Sequence, residues 1–141
     1  MVNEALKILE GKESYEKMII GIDPGEVLGL AVVVDGKVNE TENCFSTQEA
    51  LGKIKDIMEN NGIYANTVSI KIGNGVPAYR ELLEELDSAL PPEVILEVVS
   101  EAGTSRHISE NKQRRGLRDM VSAVRITGRT GYIYPRRKTN E

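Results

Sequence analysis

Long apolar runs are missing from this sequence, and so are the side chains that build several common catalytic centres. Its 141 residues include one cysteine, Cys44, and one histidine, His107. A lone cysteine excludes an internal disulfide framework, and with a single imidazole neither a Cys/His zinc site nor a Ser-His triad is well supplied. No stretch is apolar for long enough to span a bilayer. The opening Met1-Val-Asn-Glu-Ala-Leu-Lys7 mixes charges where a signal peptide would carry an apolar core. These shortages imply a soluble, cytoplasmic protein in a reducing compartment. What is present is a hydrophobic fraction of 40%, ordinary for a globular chain and enough at this length for one domain with its own core.

Charge is unevenly spread. Residues 1–105 hold 8 Lys/Arg against 19 Asp/Glu, a net of −11, whereas residues 106–141 hold 10 against 3, a net of +7, and together they give the overall −4. The cations at Arg106, Lys112, Arg114, Arg115, Arg118 and Arg129 have two readings. They are either solvated surface paired with the acidic body, or a phosphate-binding face on a protein whose average charge would otherwise repel nucleic acid.

Periodicity orders the elements. Val2 to Glu10 has helical spacing and stops at Gly11, an accessory helix within residues 1–16. Met18 to Ile22 reads as a buried strand, and Leu28 to Val34 as a second. Asp35-Gly36 is a strong hairpin signal that pairs Lys37 to about Phe45 with the strand before it. Ser46-Thr-Gln-Glu49 is a capping box for a helix burying Leu51, Ile54, Ile57 and Met58. Val68, Ile70 and Ile72 alternate with polar residues in a fourth strand, Gly73-Asn-Gly75 follows, and Pro77 marks a helix start. Tyr79, Leu82, Leu83, Leu86 and Leu90 form that helix's buried face, and Pro91-Pro92 ends it. A fifth strand runs from Val94 to Ser100. A last helix from about Arg115 to Thr127 buries Leu117, Val121 and Val124, with Met120 and Ala123 as further candidates, and residues 132–141 form a basic tail along the surface. The order predicts one α/β domain with a mixed sheet and helices on its faces.

Acids stand at the ends of two strands. Asp23 closes the first, followed by Pro24 and Gly25, and Glu101 closes the fifth. Asp23-Pro-Gly is equally good turn chemistry, because the side chain can accept from the backbone two residues on while Gly25 supplies a positive φ. The functional alternative is a metal ligand on a rigid strand end where other acids converge. A third acid, Asp119, lies among arginines in the last helix. It either pairs with Arg115 at i, i+4 or joins the other two.

The phrases Gly21-Ile-Asp-Pro-Gly25 and Leu28-Gly-Leu-Ala31 resemble the first strand, turn and second strand of the ribonuclease H-like superfamily, within it the YqgF and RuvC-type Holliday junction resolvase-like families. Ile70-Lys-Ile-Gly-Asn-Gly75, Tyr79-Arg-Glu81 and Val99-Ser-Glu-Ala-Gly-Thr-Ser105 are similar to the YqgF-like domain of Tex transcription factors. Val121-Ser-Ala-Val-Arg-Ile126 continues the similarity, which covers roughly residues 18–129 in order. It implies a ribonuclease H-like mixed five-stranded sheet, three antiparallel strands first and parallel strands after, with helices on both faces. It further implies a two-metal nuclease site with Asp23, Glu101 and Asp119 as ligands of Mg²⁺ or Mn²⁺. Such hard ions take carboxylate oxygens and, paired, support in-line hydrolysis of a phosphodiester without any histidine. Asn74, Thr104 and Ser105 are candidates to support those ligands.

The sequence departs from the RuvC pattern at Ser122, where a fourth acid is usual, and Tex-like domains generally lack an acid at the place of Asp119. Two functions therefore stand side by side. One is a metal-dependent endonuclease on a DNA junction or on RNA, as a monomer or, if it cuts symmetrically, a homodimer. The other is a non-catalytic nucleic-acid or protein interaction module of the same fold. Gly73-Asn-Gly-Val-Pro-Ala78 also fits a dinucleotide fingerprint, with Glu101 as the ribose-binding acid, although Pro77 removes an N–H that would face the pyrophosphate.

Overall fold

Large aliphatic side chains placed at every second residue on one face of the strands build the centre of this α/β fold. The computed structural model describes residues 15–61, 65–101 and 121–136. In β1 (Tyr15–Asp23), Met18, Ile20 and Ile22 are fully buried and point to one face, as period-2 geometry requires. β2 (Leu28–Val34) returns antiparallel beside it, and β3 (Lys37–Cys44) pairs antiparallel with β2 through a bulge between Val32 and Val33. Asp35 and Gly36 take φ of 49° and 86°, the left-handed pair that a tight hairpin needs. The Asp35 carboxylate accepts the Lys17 N–H at 2.9 Å while the Asp35 N–H donates to the Lys17 carbonyl at 2.9 Å, tying the hairpin tip to the start of β1.

α1 (Thr47–Asn61) begins at the capping box. The Glu49 N–H donates to Ser46 Oγ at 3.0 Å, and the Glu49 carboxylate accepts from Phe45 N–H at 2.9 Å, one residue further back than the usual reciprocal bond. β4 (Ala65–Gly73) then pairs parallel with β1. α2 (Tyr79–Ala89) starts two residues after Pro77, because Val76 and Pro77 carbonyls accept from Tyr79 and Arg80 and close a tight turn first. β5 (Ile95–Val99) pairs parallel with β4. Residues 121–127 are helical, labelled α3 here, and end at Gly128, whose N–H donates to the Arg125 carbonyl at 3.0 Å.

The sheet has six strands, not five. β6 (Tyr132–Ile133) adds an antiparallel edge to β5, and the order is β3-β2-β1-β4-β5-β6. Two residues are too few for a period-2 signal, and the strand is held by its surroundings: the Tyr134 N–H donates to the Leu96 carbonyl at 2.8 Å. Arg136 completes the anchor. Its guanidinium bonds the Asp87 carboxylate at 2.6 Å and the carbonyls of Asp87, Leu90, Pro91 and Val94, closing the end of α2.

Register sorts the core into two faces. Ile20 lies beside Ile70 and Ile70 beside Leu96, while Ile22, Ile72 and Val98 form the next row. These pack with Ala50, Ile54 and Ile57 of α1 and Leu82, Leu83 and Leu86 of α2 into one aliphatic cluster. Burying each such side chain contributes on the order of 1.5–3 kcal/mol. On the other face Gly21, Lys71 and Glu97 share a row, covered by α3. A Cβ at Gly21 would stand 2.4 Å from the Ala123 carbonyl oxygen and 2.6 Å from Thr127 Cγ2, so the helix rests on the strand backbone. That close approach explains a difference from the sequence pattern. Val121, expected inside, is 43% exposed, and the smaller Ala123 together with Ile126 faces the sheet. The expected helix over Val2 to Glu10, and the start of the last helix with Leu117, lie outside the described residues.

Candidate functional site

β1, β4 and β5 run parallel with β4 in the middle, so the C-terminal ends of all three open at one end of the sheet. Asp23 is the last residue of β1, and Glu101 lies two residues past the end of β5. The two acids predicted from sequence thus flank the turn that leaves β4. Both are half-buried. Asp23 has the parity of Gly21, which sets it on the face that carries α3.

That turn, Gly73-Asn-Gly75, is shaped around Glu101. A Cβ at Gly73 would lie 2.0 Å from Glu101 Oε2 and 2.7 Å from Cδ, and a Cβ at Gly75 would lie 2.8 Å from Oε1. Neither glycine has a positive φ, so what each supplies is a missing side chain. The Gly75 N–H donates to Oε2 at 3.4 Å, and Asn74 Oδ1 accepts the Glu101 N–H at 3.3 Å. The Asn74 N–H donates in turn to the Val99 carbonyl at 3.0 Å. Asn74, a candidate supporting residue, therefore fixes the backbone that carries the acid.

The same geometry weighs against the dinucleotide reading. Glu101 stands inside the glycine turn, where its negative charge opposes a pyrophosphate, and Ala78 gives the start of α2 no side-chain cap.

Arg129, predicted as a phosphate contact, donates from Nη1 to the Ser100 carbonyl at 2.9 Å, next to Glu101. Its own carbonyl accepts from Lys71 Nζ at 2.5 Å. Across the register from Lys71, Glu97 accepts the Gly131 N–H at 2.6 Å. Lys71 and Glu97 are 8% and 9% exposed, and together they fasten the connection from α3 to β6 beside the candidate site. Lys71 stands among the polar residues that alternate along the fourth strand, and the signal available for both was their matched position, opposite charges on neighbouring strands.

Cys44 is fully buried, and burial first, then the Glu49 and Glu42 carboxylates, pushes its thiol pKa up. It stays protonated and serves as a small core side chain, not a nucleophile.

Asp119, the third predicted ligand, lies outside the described residues, as do Thr104 and Ser105 and the cations Arg106, Lys112, Arg114, Arg115 and Arg118. Among the described residues no three His, Cys, Asp or Glu side chains gather into a metal-binding group, and no helix is long and apolar enough to cross a membrane. The fold and site together define a mixed α/β protein whose parallel strands deliver two carboxylates to one end of the sheet. No protein-family model matches the chain, and it has no match among curated proteins.

Proposed function

We propose that this chain is a metal-dependent endonuclease of the ribonuclease H-like kind, hydrolysing phosphodiester bonds in structured or branched nucleic acid. The observation that carries the reading is the placement of Asp23 and Glu101 on either side of the β4 turn, with Gly73 and Gly75 leaving room for the Glu101 carboxylate. The sheet order supports it as well: β1, β2 and β3 are antiparallel, β4 and β5 are parallel to β1, and helices cover both faces, the arrangement that the resemblance implies.

The donor chemistry fits Mg²⁺ or Mn²⁺, which prefer carboxylate oxygens and keep several waters. Asp23 and Glu101 would hold the ions, with Asp119 as the third ligand carried over from the resemblance. When bound, such ions activate a water and stabilise the leaving oxygen. The chain's own contribution is placement. Both carboxylates sit at the ends of packed strands, the Asn74 side chain and the Gly75 N–H fix Glu101, and Arg129 pins the carbonyl before it. Arg106, Lys112, Arg114, Arg115 and Arg118 would grip the backbone of a DNA junction or RNA.

Cleavage of a four-way junction, single strands and RNA is assayed with Mg²⁺ and Mn²⁺, for wild type, Asp23→Asn and Glu101→Gln. Wild type is expected to cut at least one substrate only with metal, and both variants to lose cleavage while still binding it. Salt-sensitive binding without cleavage in all three proteins would replace the nuclease by a non-catalytic interaction module.

A further inference from the structure

A second concave site lies around the corner from the acids. Tyr79 opens α2, Tyr132 and Tyr134 come from β6 and its continuation, and with Arg80, Leu83 and Glu84 they line a groove of about 220 Å³. Tyr132 is 56% exposed and is held in place by pairing with Val98, while Tyr134 is half-buried against the aliphatic cluster. The exposed Arg80 guanidinium lies over the Tyr79 ring, 5.7 Å from its centre, and adds a planar cation to the groove. Leu83, 2% exposed, makes an apolar floor.

We infer that this groove is a binding site for an unpaired nucleobase of single-stranded or splayed nucleic acid. Aromatic and guanidinium planes on an apolar floor are what an unstacked base needs in exchange for its neighbours. The two polar groups at the rim suit the base edge: Glu84 accepts from ring or exocyclic N–H groups, and Arg80 donates to ring nitrogens and carbonyls. Guanine presents both kinds of partner. The position fits as well. Tyr79 follows Gly75 by four residues, so the groove begins within about 14 Å of the turn that holds Glu101. That distance is about four stacked nucleotides at ~3.4 Å each. Glu84 also borders an adjoining acidic groove with Glu81, Glu85 and Leu51, so a bound strand would keep its phosphates away from that face of α2. The inference builds on the nucleic-acid reading above but needs no cleavage.

The test is anisotropy of labelled short thymidine oligonucleotides, with and without one central guanosine, against a blunt duplex of equal length, all in EDTA. Tyr132→Ala is expected to weaken single-strand binding about tenfold or more, as loss of one base stack should. Tyr132→Phe is expected to keep it, and duplex affinity to stay unchanged in both. Glu84→Gln is expected to remove any preference for the guanosine oligonucleotide. Ser46→Ala, at the cap of α1 and outside both sites, is expected to bind like wild type. Equal single-strand affinity for Tyr132→Ala and wild type overturns the groove assignment alone. No oligonucleotide binding by wild type overturns the groove assignment, while junction cleavage with Mg²⁺ or Mn²⁺ decides the nuclease reading separately. Saturable binding of a cationic peptide, lost in Tyr132→Ala while oligonucleotides do not bind, overturns it in favour of a protein partner.

Discussion

The two faces of the sheet are packed by opposite means. Under α1 and α2, the chain fills space with aliphatic side chains, Ile20, Ile22, Ile70, Ile72 and Leu96 all without exposure. Under α3 it removes side chains, at Gly21 and Gly73, and buries charged ones, Lys71 and Glu97, each satisfied by backbone. The first face is a general solution that tolerates exchange of similar volumes. The second fixes positions: a helix on a strand backbone and a carboxylate in a glycine turn. Stability is concentrated on one face, and placement of the candidate site on the other.

The largest effect is expected where the aliphatic face does rely on charge. Asp87 is 7% exposed, and Arg136→Ala would take from its carboxylate a 2.6 Å ion pair, leave the carbonyls at the end of α2 without their guanidinium donor and unfasten β6, at a cost of about 3–5 kcal/mol. Urea unfolding measures it. A loss under about 1 kcal/mol would mean that the clamp is dispensable and that solvent already screens Asp87. Gly21→Ala comes next, because its Cβ meets the Ala123 backbone carbonyl, which cannot rotate away. About 1–3 kcal/mol of destabilisation is expected in the same assay, as for other overpacked sites. Ser46→Ala removes the oxygen that accepts the Glu49 N–H and should cost about 1 kcal/mol, a helix cap and nothing more. Gly73→Ala is the informative small one. Its Cβ meets the ends of the Glu101 and Ile126 side chains, which can swing aside, so thermal stability is expected to change little while Mn²⁺ binding and cleavage fall sharply. Equal activity in that variant would detach Glu101 from the site.

Local rules were legible in the sequence, and distant partnerships were not. Asp35-Gly36 specified its hairpin because a two-residue turn needs only those residues, and Ser46 with Glu49 specified the start of α1. The strand-end positions of Asp23 and Glu101 followed from where apolar runs stopped. The pocket for Glu101 did not, since Gly73 and Gly75 also fit a dinucleotide-binding turn until the fold brought residue 101 back to them. The partner of Asp87 was not legible, because its cation lies 49 residues away. β6 was hidden by its shortness. Lys71 matched the polar half of an alternating strand, Glu97 was one acid in an apolar one, and α3 covers the face that carries both. Asp119 and most of the basic segment lie outside the described residues, so the third ligand rests on the sequence resemblance.

The most direct measurement is anomalous scattering from crystals of the full chain soaked in Mn²⁺. The nuclease account predicts a peak bridged by the carboxylates of Asp23 and Glu101, with Asp119 reaching the same ion, and its loss in Asp23→Asn. A Mn²⁺ peak elsewhere with none between Asp23 and Glu101, or those two carboxylates turned to opposite sides of the sheet, would contradict it.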